Sequence, residues 1–207
     1  ILTGTLDGIE QTKGGKTLAT VSFRGFRIAI PIREMLVLDE RMPSGRAYAD
    51  YMNRLNRILG TMLGAEIDFI VKGIDSTTHS AVASRREAML RKRQTFYLGK
   101  DVSGNPYIYP GRLVEARVIA VAEKVLRVEA FGIECAIFAR DLSWQWVSDV
   151  RDLYSVGDRV LVRVQEISGE DAEHLSIRAD IRSTFSETSV DNLKKCQVQS
   201  KYAGKVT

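Results

Sequence analysis

An internal repeat is the feature that most restricts how this chain can fold. Residues 25–35 align with residues 132–142 at a constant offset of 107 (132 − 25), with glycine, alanine, isoleucine and arginine recurring identically. Residues 64–75 align with residues 157–168 at an offset of 93 (157 − 64). Because each copy is long enough to bury a core of its own, the sequence predicts two similar domains in tandem.

Each copy consists mainly of short stretches rich in β-branched and aliphatic residues, separated by glycine and polar turn residues. In the second copy these stretches predict five strands, at residues 113–120, 125–131, 134–138, 159–167 and 174–178. Between the third and the fourth strand, a short helix is predicted with one side formed by Leu142, Trp146, Val150 and Leu153. This pattern is typical of a partly open Greek-key barrel. We therefore predict a mainly β protein of two tandem five-stranded OB-fold (oligonucleotide-binding) barrels with short helices.

The two offsets differ by 14 residues (107 − 93), so the first copy carries an insertion of that length within residues 44–62. Apolar side chains recur there every three or four positions, at Tyr48, Tyr51, Met52, Leu55, Ile58, Leu59 and Met62. This spacing predicts an amphipathic helix. We expect the helix to cover the first barrel as a structural lid.

The second copy resembles the S-one (S1) RNA-binding domain family, the OB-fold repeat of the ribosomal S-one protein. The resemblance rests on residues 111–118, 138–143, 156–160 and 175–178, and it extends over residues 110 to about 182. The first copy resembles the same family more weakly, through residues 64–75 and 82–86. The resemblance implies a module that binds single-stranded RNA with tolerance of sequence, in translation or RNA handling.

The predicted organisation has four parts. Residues 1–94 form a divergent S1-like barrel with the helical insertion and a basic C-terminal helix, residues 95–109 form a linker, and residues 110–187 form the second barrel. Residues 188–207 resemble the start of a third, truncated repeat, and we take the chain, which begins at Ile1, as part of a longer array. We expect Tyr97, Tyr107 and Tyr109 to pack the barrels together, with base stacking as the alternative.

Barrels of this kind hold a single strand through cations that contact phosphates and aromatic rings on which bases stack. The resemblance implies two aromatic residues and a histidine on the second and third strands. Phe138 occupies the histidine position, whereas Glu123 and Leu126 lie near the aromatic positions and Pro31 takes the histidine position in the first copy. The candidate RNA-binding residues are Phe138, Lys124, Arg127, Arg140, His174 and Arg178 in the second copy, and Arg33, Asp75 and His79 in the first.

The most basic segment is residues 84–94, in which five of eleven residues are cationic. Its composition predicts a helix after the last strand of the first barrel. We expect Met89 and Leu90 to anchor this helix while the guanidinium groups project into water. Arg91, Lys92 and Arg93 would then extend the RNA track between the barrels, and a solvated linker helix is the alternative.

Two tryptophans follow the third strand of the second copy. Trp144 and Trp146 are two residues apart and cannot share one face of a helical turn. We expect one to be in the core and the other to be partly exposed, as a contact for protein or nucleic acid.

No catalytic, metal-binding or cofactor-binding motif is recognised. The chain has no HExxH motif, and its Gly14-Gly15-Lys16-Thr17 run lacks the upstream glycine of a phosphate loop. We therefore predict no enzyme activity, no metal and no cofactor. Cys135 and Cys196 have neither zinc-site nor disulfide-framework spacing, which indicates a reducing, cytoplasmic setting.

The predicted partner is single-stranded RNA, and no sequence stretch is apolar for long enough to predict a membrane span. The alternative is a protein-docking module with little RNA affinity of its own. Such a module would bind the ribosome or an RNA-processing complex through the barrel faces.

Overall fold

The computed structural model describes residues 1–12, 14–38 and 43–185, and the proposed third repeat at residues 188–207 lies outside them. The strands of the first barrel are β1 (Leu2–Gln11), β2 (Thr17–Phe23), β3 (Phe26–Pro31), β4 (Glu66–Asp75) and β5 (Ser80–Ser84). They close into a barrel in the order β1-β2-β3-β5-β4, with β3 and β5 parallel and β4 paired with β1.

The second copy repeats this arrangement with one seam open. Its strands are β6 (Leu113–Ala122), β7 (Val125–Ala130), β8 (Ile133–Phe138), β9 (Arg159–Ser168) and β10 (Ser176–Asp180). They form a sheet in the order β10-β9-β6-β7-β8, so β8 and β10 are its edges, where β3 and β5 are joined in the first copy. The prediction of two tandem five-stranded OB-fold barrels is confirmed.

Two helices belong to the first copy. The inserted helix α1 (Arg46–Gly60) is confirmed, and it buries Leu55 and Leu59 in the first core. Helix α2 (Arg85–Arg93) begins directly after β5, where the Ser84 side chain accepts a hydrogen bond from the backbone N–H of Glu87. This cap satisfies one of the free N–H groups of the first turn. One π-helical turn, Gln94–Leu98, continues α2.

The helix predicted between β8 and β9 is replaced by two 3-10 turns, Ala139–Asp141 and Val150–Asp152. Leu142, Val147 and Val150 of this loop are buried in the second core. Trp146, in contrast, is 88% exposed and does not join them. The apolar residues of the loop therefore do not share one helical side, which is the reason that the prediction was wrong.

The two cores meet at a bulge in β6. The pairing of β6 with β7 shifts between Val118 and Ala120, and the bulged residue, Ile119, is fully buried in the core of the first barrel. A bulge turns a side chain away from its regular direction, which explains how a residue of the second sheet reaches the first core. From the linker, Tyr97 packs into the second core and donates a hydrogen bond to the Ala130 carbonyl.

A group of buried and partly buried charged residues joins the barrels, and we call it the inter-barrel cluster: Asp68, Arg85, Lys92, Arg117, Glu129 and Glu134. Arg85 on α2 is fully buried, forms ion pairs with Glu129 and Glu134, and donates to the Met35 carbonyl at 2.7 Å. Arg117 on β6 contacts both Asp68 of the first barrel and Glu129 of the second. The cluster therefore fixes the second barrel against the first.

Candidate nucleic-acid interface

The outer face of the β7–β8 hairpin carries the first part of the candidate site. Strand alternation and antiparallel pairing place Val125 opposite Phe138, Arg127 opposite Ala136, and Glu129 opposite Glu134 on this face. At the Glu129 end the face is buried under the first barrel, whereas Phe138 at the other end is 53% exposed. The Phe138 end of the hairpin is therefore more accessible to a ligand than the Glu129 end.

Phe138 lies beside a groove of about 410 Å³ formed by the end of β8 and the loop after it. Lys124, Arg140, Gln145 and Trp146 also line this groove. With Trp146 at 88% exposure, two rings are presented to solvent within one depression. Exposed apolar surface that is concentrated in one place and bordered by polar groups is typical of a binding site.

Cations border the two rings. The guanidinium of Arg140 lies 5.9 Å from the centre of the Phe138 ring, and the side chain is 82% exposed. Lys124, in the β6–β7 turn, donates to the Ser148 carbonyl, and its ammonium lies 3.3 Å from Glu123. A single-strand binding site combines aromatic rings on which bases stack with cations that contact the phosphates.

A third ring, Trp144, lies on the same loop, and the cation beside it, Arg182, lies in the 3-10 turn after β10. The Arg182 guanidinium lies 4.7 Å from the centre of the Trp144 ring and donates to the Arg140 carbonyl at 3.1 Å. We call Phe138, Trp146 and Trp144, with Lys124, Arg140 and Arg182, the aromatic strip. The expectation that one tryptophan is in the core is wrong, because Trp144 is also 39% exposed.

Residues 108–178 match the family model of the S1 RNA binding domain. This part of the chain is an S1 domain. The match covers β6 to the middle of β10 and includes Phe138, Trp144 and Trp146, whereas Arg182 lies beyond it. S1 domains form an RNA-binding family, so RNA binding in general is the activity that the match supports.

Two solved structures of nucleic-acid-binding proteins are similar to the chain. One is an a/eIF2alpha–aDim2p–rRNA complex from Pyrococcus horikoshii OT3, with 20% identity, TM-score 0.34, and coverage of 43% of this chain and 53% of that chain. The other is a multidomain protein with nucleic acid binding domains from Streptococcus pneumoniae TIGR4, with 11% identity, TM-score 0.33, and coverage of 87% and 50%. This chain thus spans about half the length of each. No curated protein matches it.

Within the S1 domain, three of the predicted site residues come together: Phe138, Arg140 and Lys124 line the same groove. The other three lie elsewhere. Arg127 forms an ion pair with Glu134, and Arg178 on β10 lies 3.4 Å from Glu166. His174, in the β9–β10 turn, has its Nδ1 atom 2.7 Å from the Asp171 carboxylate.

The predicted residues of the first barrel are spread over different elements. Asp75 accepts hydrogen bonds from the Thr77 hydroxyl and backbone and from the Thr78 backbone, which lower its pKa to about 2 and brace the β4–β5 turn. His79 adopts a left-handed φ of 48° in that turn, with its ring 5.6 Å from that of Phe26. Arg33, the counterpart of Arg140, is exposed in the turn after β3.

The groove next to Pro31, the counterpart of Phe138, differs from that of the S1 domain. Helix α2 borders it with Arg86, Glu87 and Leu90, and β5 contributes Val82. Every residue that lines this groove in the described chain is non-aromatic. The first barrel therefore lacks, at this position, the rings on which a base would stack.

The basic helix α2 faces inward more than its sequence indicates. Arg93 is 6% exposed and donates to the carbonyls of Gly132 at 2.7 Å and Ala172 at 3.0 Å, and Lys92 forms an ion pair with Asp68. The expectation that the guanidinium groups project into water is thus wrong for Arg85 and Arg93, because acceptors on the second barrel bind them. Arg91 is exposed and lies 3.5 Å from Glu87.

Three further features of the described part of the chain bear on its chemistry. It contains no group of three or more histidine, cysteine, aspartate or glutamate residues that could hold a metal ion. None of its helices has both the length and the apolar character that a membrane crossing requires. Cys135 is buried in the second core, and burial raises the pKa of its thiol to about 12, so this thiol is not a nucleophile near neutral pH.

Proposed function

We propose that this chain binds single-stranded RNA through the groove of its S1 domain that holds Phe138 and Trp146, with tolerance of sequence. It would act by binding rather than by catalysis, in RNA handling or translation in the cytoplasm. The observation that carries the proposal is the pair of exposed rings, Phe138 and Trp146, in one groove with Arg140 and Lys124.

The geometry favours an unpaired strand over a duplex. A ring can stack only on a base whose face is accessible, and the bases of a duplex are stacked on one another. Each stack on an aromatic side chain contributes roughly 1 to 3 kcal/mol, and every base has a face to offer. Because the groove is lined mainly by rings and cations, we expect weak discrimination among bases.

The cations of the strip add a component that depends on salt. Contacts to phosphates release counterions, so affinity falls as salt is raised. The chain has a formal net charge of only +4, and Glu123 and Asp141 lie near the cations of the strip. We therefore expect a moderate affinity that depends on the local arrangement of Lys124 and Arg140 rather than on total charge.

The test is a fluorescence anisotropy titration of the full chain with labelled oligouridine of about twelve nucleotides, at about 50 and 200 mM salt. We expect binding that weakens with salt, and a loss of roughly 5- to 150-fold on Phe138→Ala or Trp146→Ala, the range that corresponds to one stack. Leu161→Ala is the matched control, because it removes a leucine that is 57% exposed on β9.

The alternative function is docking onto a protein, such as a ribosomal or RNA-processing component. The 88% exposure of Trp146 favours it, because tryptophan is a frequent anchor of protein interfaces. A flat titration at both salt concentrations, with the chain folded, would contradict RNA binding and favour this alternative. A duplex bound as tightly as the single strand would contradict the stacking mechanism.

A further inference from the structure

The first barrel covers part of the surface on which an RNA strand would otherwise lie, and this bears on the path of the strand. The inference rests on the proposed function. On the outer face of the β7–β8 hairpin, Glu129 and Glu134 are engaged by Arg85 of helix α2, and Glu129 also by Arg117. Glu129 is only 2% exposed, so this end of the face is closed to any ligand.

The middle of the same face offers few side chains that could bind an RNA strand. Arg127 is directed to Glu134, and its side chain is 30% exposed. Ala136, its cross-strand neighbour, is exposed but has no side chain on which a base could stack. A strand that enters at Phe138 therefore meets no further ring, and only a cation that is already paired, on this face towards the first barrel.

The surface is open in the other direction, over the loop that follows β8. From Phe138 it leads to Arg140, whose carbonyl accepts a hydrogen bond from Arg182 at 3.1 Å. The Arg182 guanidinium in turn lies over Trp144, whose indole N–H points to the Phe185 carbonyl at 3.4 Å. Phe185 is itself 60% exposed. Rings and cations thus alternate from Phe138 through Arg140 and Arg182 to Trp144, and the Asp141 carboxylate lies 3.7 Å from the Arg182 guanidinium.

We propose that the RNA strand leaves the sheet at Phe138 and crosses the loop after β8 to a second contact site made by Trp144 and Arg182. There Arg182 binds a phosphate, and Trp144 supplies apolar surface to the next nucleotide. Trp144 lies within the residues that match the S1 family model, whereas Arg182 lies beyond them. The docked first barrel closes the Glu129 end of the hairpin face, so this site provides a path for the strand in the other direction.

The length of the RNA separates this site from the one at Phe138. We would titrate the full chain with oligouridines of about four and about twelve nucleotides, which span the range of site sizes of a single OB fold. Trp144→Ala and Arg182→Ala should weaken binding of the long RNA about fivefold or more and leave the short RNA unchanged. Phe138→Ala should weaken both. Trp144→Phe, which keeps a ring, should restore most of the affinity and guards against a loss of folding.

Each outcome decides between the hypotheses. Arg182 also holds the Arg140 carbonyl, so a purely positioning role would weaken both RNAs equally and would overturn the second site. Unchanged binding of the long RNA by both variants would overturn it as well. If Phe138→Ala still weakens both RNAs in that case, the proposed function stands without this inference. If the native chain binds neither RNA, the proposed function and the inference both fail.

Discussion

The Arg85 guanidinium and the Glu129 carboxylate form an ion pair between the two barrels, with side-chain exposures of 0% and 1%. Burial by itself would lower the pKa of Arg85, but Glu129 and Glu134 raise it, so the arginine stays charged. Two buried charges stabilise a fold only as long as both are present, because a single unpaired charge in the interior is costly. This pair therefore makes the docking of the barrels sensitive to single substitutions.

Arg85→Met should lower the free energy of unfolding by about 3 to 5 kcal/mol, since it leaves carboxylates buried without their partner. Urea unfolding followed by circular dichroism measures the change. Arg86→Ala on the same helix is the control: its ion pair with Glu173 has exposures of 35% and 56%, and we expect a change below about 1 kcal/mol. Equal effects of the two substitutions would argue against a stabilising role for the buried pair.

Acid should weaken the contact at Asp68. Burial alone would raise the pKa of Asp68, but hydrogen bonds from Arg117, Lys92 and Thr3 outweigh it and hold the pKa well below its ordinary value. A carboxyl with a depressed pKa contributes stability that is present above its unfolded pKa, about 3.9, and is lost as the pH falls below that value.

Asp68→Asn should therefore cost about 1.5 to 3 kcal/mol near pH 7, the usual contribution of hydrogen bonds to charged groups. The difference from the native chain should shrink below about pH 4. Unfolding free energies measured from pH 7 to pH 3 test this. A difference that is constant over that range would show that the Asp68 charge does not matter.

Gly132 is a position at which α2 contacts the second barrel closely. Its φ is 88°, and a Cβ there would overlap the Met89 carbonyl. Gly111 has a similar φ of 93°, but nothing lies within 4 Å of its Cβ position. Gly111→Ala should cost about 1 to 2 kcal/mol from backbone strain alone, and Gly132→Ala clearly more. Equal unfolding midpoints for the two variants would mean that the Met89 carbonyl moves away from the added Cβ without a loss of stability.

The cations of the strip should be visible in the salt dependence of RNA affinity. Arg140→Ala and Lys124→Ala should each reduce the slope of log affinity against log salt concentration by about 1, the effect of losing one phosphate contact. Arg57→Ala, an exposed arginine on α1, should leave the slope unchanged. Anisotropy titrations at several salt concentrations give the slopes, and identical slopes for all three variants would remove Arg140 and Lys124 from the phosphate track.

The repeat predicted the fold well because the patterns that recur in it, strand alternation and turn residues, are local properties of the chain. Strand alternation, turn glycines and the spacing of residues 48–62 predicted two barrels and the inserted helix α1, and both are present. The loop after β8 was harder to predict, since Val147 rather than a tryptophan fills the core position. Burial of that kind depends on the space left by distant strands.

The candidate site could be predicted only in part, for a related reason. Phe138 and Arg140 were found through residues 138–143, which resemble the S1 family, and the tryptophan pair was a signal for Trp146. Arg182 carried no signal, because its contact with Trp144 joins residues 38 positions apart (182 − 144). For the cations of α2 the sequence wrongly predicted exposure. The acceptors that bury Arg85 and Arg93, Glu129 and the Gly132 carbonyl, belong to the other barrel.

Ile119 has a consequence for how the chain reaches its final state. Its side chain completes the interior of the first copy, although β6 comes after the linker. A fragment that ends before β6 would leave a hole in that interior, and a fragment limited to the family match would expose the isoleucine to water. During synthesis, the first copy therefore lacks one of its core side chains until β6 has emerged.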